Sequence, residues 1–160
     1  MGHKLVRADG SGFDFKATPN LGRRLKPEYL VIHFTAAGTA RGSIEWLTNP
    51  AAKASAHLVI GRDGSITQLA PFDRVAWHAG PSQWRGRQGM NLYSIGIELD
   101  NAGKLTQVGS EWRTWFGARI PANEVVQAVH KNETGVSGWH TYTEPQIAAP
   151  LEASSAIVNE

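Results

Sequence analysis

Two ionisable side chains lie within otherwise apolar runs of this sequence, and their types point to metal binding and acid–base chemistry. His33 falls inside YLVIHFT, and Glu98 falls inside SIGIELD. A buried imidazole must be satisfied by a hydrogen bond or a metal ion, and a buried carboxylate is costly unless it has a partner or a function. Taken alone, His33 is more simply explained by a hydrogen bond. Glu98 strengthens the case for a function, although a structural role would explain it equally well.

Two more histidines and a set of tryptophans extend the list of candidates. His57 and His78 are possible further ligands, although no two histidines have the HxxxH or HxH spacing of a local zinc pair. Trp77 and Trp84 lie in a segment rich in Gly and Arg and could stack on a sugar, although aromatic side chains more often pack a core. Solvated, capping or packing roles are expected for His3, His130, His140, Trp112, Trp115 and Trp139.

The composition excludes several classes of function. At 160 residues, with 41% hydrophobic and 19% charged residues, the chain is expected to form a single globular domain over residues 1–160. A formal net charge of +2 is too small to indicate nucleic-acid binding. Since cysteine is absent, any metal site must use histidines and carboxylates. No long apolar run or signal-like start is present, which predicts a cytoplasmic chain that does not enter the membrane.

Both leading candidates are expected on β-strands. In the first strand, alternation places His33 on one face together with Val31 and Thr35. In the second, Glu98 shares a face with Gly96, while the aliphatic residues between them point into the core.

The rest of the chain predicts loops, a hairpin and two or three helices around these strands. We expect an irregular lead-in at 1–27, then a short helix capped by Ser43 and ending before Pro50, and a hairpin at 56–69. A surface loop is expected at 77–89, and an insertion at 101–138 with a helix near 123–130. A final helix is expected from Thr143, and Pro150 should kink or weaken it.

Several short motifs, in this order, match one known family. They are VIHFT (31–35), SAHLVI (55–60), RDG (62–64), AWHAG (76–80), Asn91 and SIGIEL (94–99). Over residues 28–147 the chain resembles the type-2 N-acetylmuramoyl-L-alanine amidases, which are related to phage lysozyme-like amidases and peptidoglycan-recognition proteins. The resemblance implies an α/β fold, with a central mixed β-sheet flanked by helices and a zinc cleft along one edge.

The resemblance also implies roles for individual residues. His33 corresponds to the first zinc ligand and Glu98 to the catalytic carboxylate. His78 and Trp77 belong to the loop that lines the cleft and His57 lies beside it, so these three residues are expected to bind the substrate. In the family, Zn2+ polarises the amide carbonyl and activates a water. The glutamate passes the water's proton to the leaving amine, which cleaves the bond between N-acetylmuramic acid and L-alanine.

One part of the family pattern is not found in these 160 residues. Members carry, after the last helix, a motif like GHxDIxPGRKxDPG, which supplies the second histidine, a third ligand and a lysine for the oxyanion. A catalytic zinc normally needs three protein ligands, so we expect the zinc site to be incomplete in this chain. His140 would substitute only if the turn before the last helix folded over the cleft.

Three functions therefore stay open. The leading hypothesis is an amidase, and the alternatives are a muropeptide-binding module that does not cut, and an incomplete form that self-associates through exposed apolar surface. The expected partner is peptidoglycan or a muropeptide, with no nucleic acid and no membrane. Cytosolic cell-wall recycling and phage lysis are both compatible with the sequence.

Overall fold

The chain is built around a five-stranded mixed sheet, as seen in a computed structural model that describes residues 3–7 and 9–158. In chain order the elements are β1 (Asp14–Phe15), β2 (Leu21–Arg24), β3 (Tyr29–Phe34), α1 (Ala40–Leu47), β4 (Leu58–Ile60), β5 (Ile66–Gln68), β6 (Arg74–Ala76), β7 (Gln83–Trp84), β8 (Arg87–Gln88), β9 (Ser94–Leu99), β10 (Lys104–Val108), β11 (Glu111–Arg113), β12 (Arg119–Ile120), β13 (Val125–Val129), β14 (Val136–His140) and α2 (Glu144–Val158). The sheet order is β1-β5-β4-β9-β3, and both helices contact β4. The predicted mixed sheet with flanking helices is confirmed.

The core lies on one face of this sheet, and the two leading candidates are set by its register. The fully buried core side chains include Leu58, Ile60, Ile95, Ile97 and Ala153. Strands β3 and β4 run parallel to β9 on its two sides, and the β3 register pairs His33 with Glu98. Because side chains alternate along a strand, Glu98 points away from the core that receives Ile97.

Strand β3 forms the outer edge of the sheet, and part of its apolar face is uncovered. Alternation places Ile32 and Phe34 on the core side, yet they are 56% and 44% exposed. Gly103 lies under Phe34, where an added Cβ would come within 2.4 Å of the ring. This edge carries the exposed apolar surface that the sequence analysis associated with self-association, which stays a prediction.

The lead-in at 1–27 is more regular than expected. Strand β1 pairs in parallel with β5, and β2 pairs antiparallel with β6. Gly22 on β2 allows this approach, because a Cβ there would lie 3.0 Å from the Cβ of Val75. Short strands at a sheet edge carry little periodic signal, and the lead-in was therefore predicted as irregular. Residues 1, 2 and 8 lie outside the described residues.

A second, antiparallel sheet occupies most of the predicted insertion. Its order is β12-β11-β10-β14-β13. The helix predicted near 123–130 is wrong, because residues 125–129 (VVQAV) pair along their whole length with β14. Three β-branched valines favour an extended strand once a partner is available. The predicted surface loop at 77–89 likewise contains a small hairpin, β7–β8.

The helices follow the predicted positions with one correction. Helix α1 is capped by Thr39, whose hydroxyl accepts a hydrogen bond from the Gly42 amide at 3.1 Å. Ser43, the predicted cap, instead lies buried inside the helix. Helix α2 begins after Thr143 as predicted and continues through Pro150. Within the described residues, neither helix is long and apolar enough to cross a membrane.

Gly138→Ala should destabilise the second sheet, because a Cβ at this position would lie 2.4 Å from the ring of Trp112. Forcing that indole aside is expected to lower the free energy of unfolding by about 1–3 kcal/mol in chemical denaturation. The control is Gly135→Ala, where nothing lies within 4 Å of the added methyl group. An equal loss in both variants would contradict the packing described here.

Candidate functional site

Three histidines that lie far apart in the sequence form one cluster beside β9. The ring centroids of His33 and His78 are 5.1 Å apart, and those of His57 and His78 are 6.0 Å apart. Strand β3 supplies the first, the residue before β4 the second, and the segment after β6 the third. The structure thus brings together the predicted ligand and two of the predicted cleft residues.

The hydrogen bonds of this cluster determine which ring nitrogens carry protons. Ser94 donates its hydroxyl proton to the Met90 carbonyl at 2.6 Å, so both Ser94 oxygens can only accept from His78 Nε2, which lies 3.3 Å from each. His78 Nε2 is therefore protonated, and its Nδ1 accepts from His33 Nε2 at 2.8 Å. This leaves His33 Nδ1 with a free lone pair, the form that binds a metal ion.

His78 is held in place by a glycine below it and an asparagine beside it. A Cβ on Gly96 would lie 2.3 Å from His78 Cγ, so the ring occupies space that only glycine leaves open. The Asn91 side-chain oxygen accepts from the backbone amides of His78 and Ala79, at 3.0 and 2.7 Å. Both residues lie in the family motifs, but neither was predicted to have a role. A glycine inside a strand is the signal that another group approaches the backbone closely.

His57 has a structural position. Its Nδ1 accepts from the Gly96 amide at 3.0 Å, its Nε2 donates to the Arg74 carbonyl at 2.9 Å, and the side chain is fully buried. Direct contact with substrate, as predicted for His57, does not fit this burial. The imidazole instead ties β9 to β6.

His140 is not available as a substitute ligand. Its Nδ1 accepts from the Ala102 amide at 3.2 Å, and its Nε2 lies 3.2 Å from the Glu124 carboxylate. Both ring nitrogens are therefore occupied. Its predicted capping or surface role is also wrong, since the side chain is buried against the second sheet.

Glu98 carries a buried carboxylate oxygen, Oε2, that has no hydrogen-bond partner among the described residues. Burial raises the pKa of this carboxyl to about 7. Burial first, and then the charge of Glu98, also raises the pKa of Tyr142. Tyr142 follows the last strand of the second sheet, and no motif in the sequence singled it out.

The histidines are neutral at physiological pH. Burial lowers the pKa of His33. Burial lowers the pKa of His57 to about 4, and burial together with the charges of His33 and His57 lowers the pKa of His78 to about 4. The hydrogen-bond directions above require His57 and His78 to be neutral, since each accepts at Nδ1 and a protonated ring has no accepting nitrogen.

A groove of about 500 Å³ runs along the outer edge of β3 and reaches His33. Its other walls come from Ala79, Ser82, Trp84 and Met90. Trp77, predicted to bind substrate, is not part of this lining; its indole nitrogen lies over Gly22 of β2. A larger cleft of about 760 Å³, between α1 and the β1–β5 edge, contains none of the candidate residues.

Within residues 3–7 and 9–158, no group of three or more His, Cys, Asp or Glu side chains is arranged to hold a metal ion. His33 Nδ1 has the chemistry of a zinc ligand, but a catalytic zinc takes three protein ligands. The described residues alone therefore do not form a complete zinc site.

Comparison with known proteins identifies the family. The family model described as N-acetylmuramoyl-L-alanine amidase (Amidase_2) matches residues 23–160. The chain belongs to this family. It is 40% identical over 83 residues to the 1,6-anhydro-N-acetylmuramyl-L-alanine amidase AmpD of Escherichia coli K12, covering 52% of this chain and 45% of AmpD. It is 38% identical over 114 residues to the N-acetylmuramoyl-L-alanine amidase AmiD of the same organism, covering 63% of this chain and 40% of AmiD. The chain spans less than half the length of these relatives.

Solved structures of the family share the fold. A crystal structure of a selenomethionine AmpD derivative superposes with a TM-score of 0.59 at 22% identity, over 97% of this chain and 79% of that one. The complex of E. coli AmiD with anhydro-N-acetylmuramic acid-L-Ala-D-gamma-Glu-L-Lys gives 0.56 at 26% identity, over 89% and 45%. These matches agree with the mixed sheet described above.

Glu98→Gln should stabilise the fold in a pH-dependent way. The folded-state pKa of about 7 exceeds the ordinary value of 4.5, so the folded carboxyl holds its proton more tightly than the unfolded one. Wild-type stability is thus expected to fall relative to the variant as pH rises from 4.5 through 7. The gain should level off above pH 7 at no more than about 3 kcal/mol in urea denaturation. Glu152→Gln, which removes an exposed carboxylate, is the control; the same pH-dependent gain there would contradict a special environment at Glu98.

His78→Phe should release the fixed tautomer of His33, because phenylalanine keeps a ring over Gly96 but accepts no hydrogen bond. In the 15N spectrum of the imidazoles at about pH 8, the Nδ1 and Nε2 resonances of His33 should move toward each other as the tautomers mix. Zinc affinity should fall about 10- to 100-fold. Ser94→Ala keeps the carbonyl acceptor and should leave the His33 tautomer unchanged. Unaltered His33 resonances in His78→Phe would contradict the assignment.

Proposed function

We propose that this chain carries the proton-transferring carboxylate and the first metal ligand of an amidase that hydrolyses the bond between N-acetylmuramic acid and L-alanine. The observation that carries the proposal is the unpartnered, buried Glu98 oxygen on the strand next to tautomer-locked His33. A structural carboxylate would have acquired a hydrogen-bond partner. A carboxylate without one is poised to exchange a proton with a bound water or substrate.

The environment of Glu98 suits an acid–base role in amide hydrolysis. A pKa of about 7 lets one carboxyl group accept a proton from water and then return it to a leaving amine near neutral pH. Burial of the carboxyl group maintains that pKa. Glu98 is therefore the residue that moves the proton in this proposal.

His33 is proposed as one zinc ligand, through the Nδ1 that its bond to His78 leaves free. Zn2+, when bound, would supply Lewis-acid polarisation of the amide carbonyl and a more acidic water. Among the residues that the structure describes, no group of three or more His, Cys, Asp or Glu side chains is arranged around such an ion. No step is assigned to any other ligand.

The proposed substrate is a muropeptide. AmpD relatives are named as 1,6-anhydro-N-acetylmuramyl-L-alanine amidases, and the AmiD complex contains an anhydro-N-acetylmuramic acid peptide. The groove along β3 offers a place for the peptide, since it ends at His33 and exposes the unpaired edge of a strand.

A binding module that holds the muropeptide without cutting it is the second candidate. It is favoured by one observation, the lack of a three-ligand metal group within the described parts of the chain. Under this alternative Glu98 would not take part in catalysis.

The test is release of the peptide from anhydro-N-acetylmuramyl-tripeptide with one equivalent of zinc added, followed by mass spectrometry. Wild type should release the peptide, and Glu98→Gln should lower the rate about 10²- to 10⁴-fold while binding persists, because general acid–base catalysis contributes that much. His33→Ala should lower bound zinc measured by elemental analysis, whereas Glu152→Gln should change neither quantity. If the wild type binds the muropeptide but does not release the peptide, the binding module is favoured and the amidase proposal is contradicted for this chain.

A further inference from the structure

The turn between β11 and β12 reaches from the second sheet to the loop that follows His33. The Trp115 indole nitrogen donates to the Ala36 carbonyl at 2.8 Å. The Phe116 ring lies over Gly38, 3.5 Å from where a Cβ would stand. Two aromatic residues of the insertion thus contact the main sheet's loop between β3 and α1.

This turn is held rigidly. The Thr114 amide donates to the Ala118 carbonyl at 2.9 Å, and the Ala118 amide donates to the Thr114 hydroxyl at 2.9 Å. The Trp115 and Phe116 rings meet at 88° with centroids 5.3 Å apart. Little conformational entropy remains to be lost when a ligand contacts the indole.

Despite this order, Trp115 is 75% exposed. The prediction that Trp115 packs the insertion is therefore wrong. Its N–H is already satisfied by Ala36, so what it presents to solvent is an apolar ring face. A fixed, exposed aromatic face is typical of a binding surface. Burying the ring would have stabilised the fold, so its exposure indicates another use.

The position of Trp115 relates it to the proposed cleft. Its partner Ala36 follows His33 by three residues, which limits the distance between their Cα atoms to about 11 Å. The groove along β3 approaches His33 from the opposite direction, beginning at Tyr29. A ligand centred at His33 could therefore extend toward the groove on one side and toward Trp115 on the other.

The two directions differ in charge. Residues 35–39 and 114–118 contain no ionisable side chain, and the flanking Arg113 and Arg119 both pair with Glu111. The Trp115 side therefore suits an uncharged group. At the other end, beside Trp84, the β7–β8 hairpin carries Arg85, whereas its Arg87 already pairs with Glu28. Arg85 suits a carboxylate of a peptide stem. This asymmetry orients the muropeptide, with its peptide on the β3 groove and its sugar toward the second sheet.

We propose that Trp115, supported by Phe116, is a stacking platform for an uncharged N-acetylated pyranose ring of the muropeptide. This inference rests on the proposed function, since the ligand is the same. It gives the second sheet a role in recognising the sugar. Trp115 is a binding residue in this scheme and takes no part in proton transfer.

The test compares two probes on the same variants by calorimetric titration: N-acetylmuramyl-L-alanyl-D-isoglutamine and the sugar-free peptide L-alanyl-D-isoglutamine. Trp115→Ala should weaken binding of the sugar-containing probe about fivefold to tenfold and leave binding of the free peptide unchanged. Trp115→Phe should recover part of the loss, because it keeps an aromatic face. Val136→Ala, which removes an exposed apolar group elsewhere on the same sheet, should change neither.

The outcomes separate this inference from the proposed function. If wild type binds and cleaves the muropeptide and Trp115→Ala binds it equally well, the platform is overturned and the amidase proposal stands. An equal weakening of both probes would also overturn it, since Trp115 would then serve the peptide or the fold. If wild type binds neither probe, both proposals fail together.

Discussion

Parallel pairing of β3 with β9 is the constraint on which the candidate site depends. The register sets His33 opposite Glu98 and, two residues earlier on β9, leaves Gly96 as a gap for the His78 ring. A shift of one residue would turn Glu98 into the core and place a side chain where His78 lies. Burial of the aliphatic residues on the other face of β9 holds this register, so the hydrophobic core and the polar cluster depend on the same pairing.

The histidine cluster shows how a polar group can be placed inside a sheet at limited cost. Each buried ring nitrogen of His57 and His78 has a partner, and the chain of hydrogen bonds ends at His33, whose Nε2 donates to His78 and whose Nδ1 keeps its lone pair. Only Glu98 Oε2 departs from this pattern among the buried side-chain atoms described. The neighbouring polar groups are satisfied, and one carboxylate oxygen is not. The desolvation cost of the site is therefore concentrated at Glu98 Oε2, an atom that can take part in proton transfer.

The second sheet adds a feature that the main sheet lacks. Its β11–β12 turn brings Trp115 to the loop after β3. The insertion therefore borders the loop that follows His33. Its own packing, with Trp112 over Gly138, keeps the strands in the arrangement that permits these contacts.

The sequence by itself determined the strands that carry His33 and Glu98, the hairpin between β4 and β5, the final helix and the family. Each of these depends on local alternation, turn chemistry or a short ordered motif, which neighbouring residues encode. It did not reveal the helix cap at Thr39, the strand character of 125–129 or the exposure of Trp115. Nor could it show that His57 is enclosed while His33 keeps a free nitrogen. Most of those properties depend on partners that are distant along the chain, such as Asn91 for His78, 13 residues away, and Trp115 for Ala36, 79 residues away. Only tertiary structure decides them, because hydrogen-bond partners and burial are set by packing between segments and not by the pattern within one.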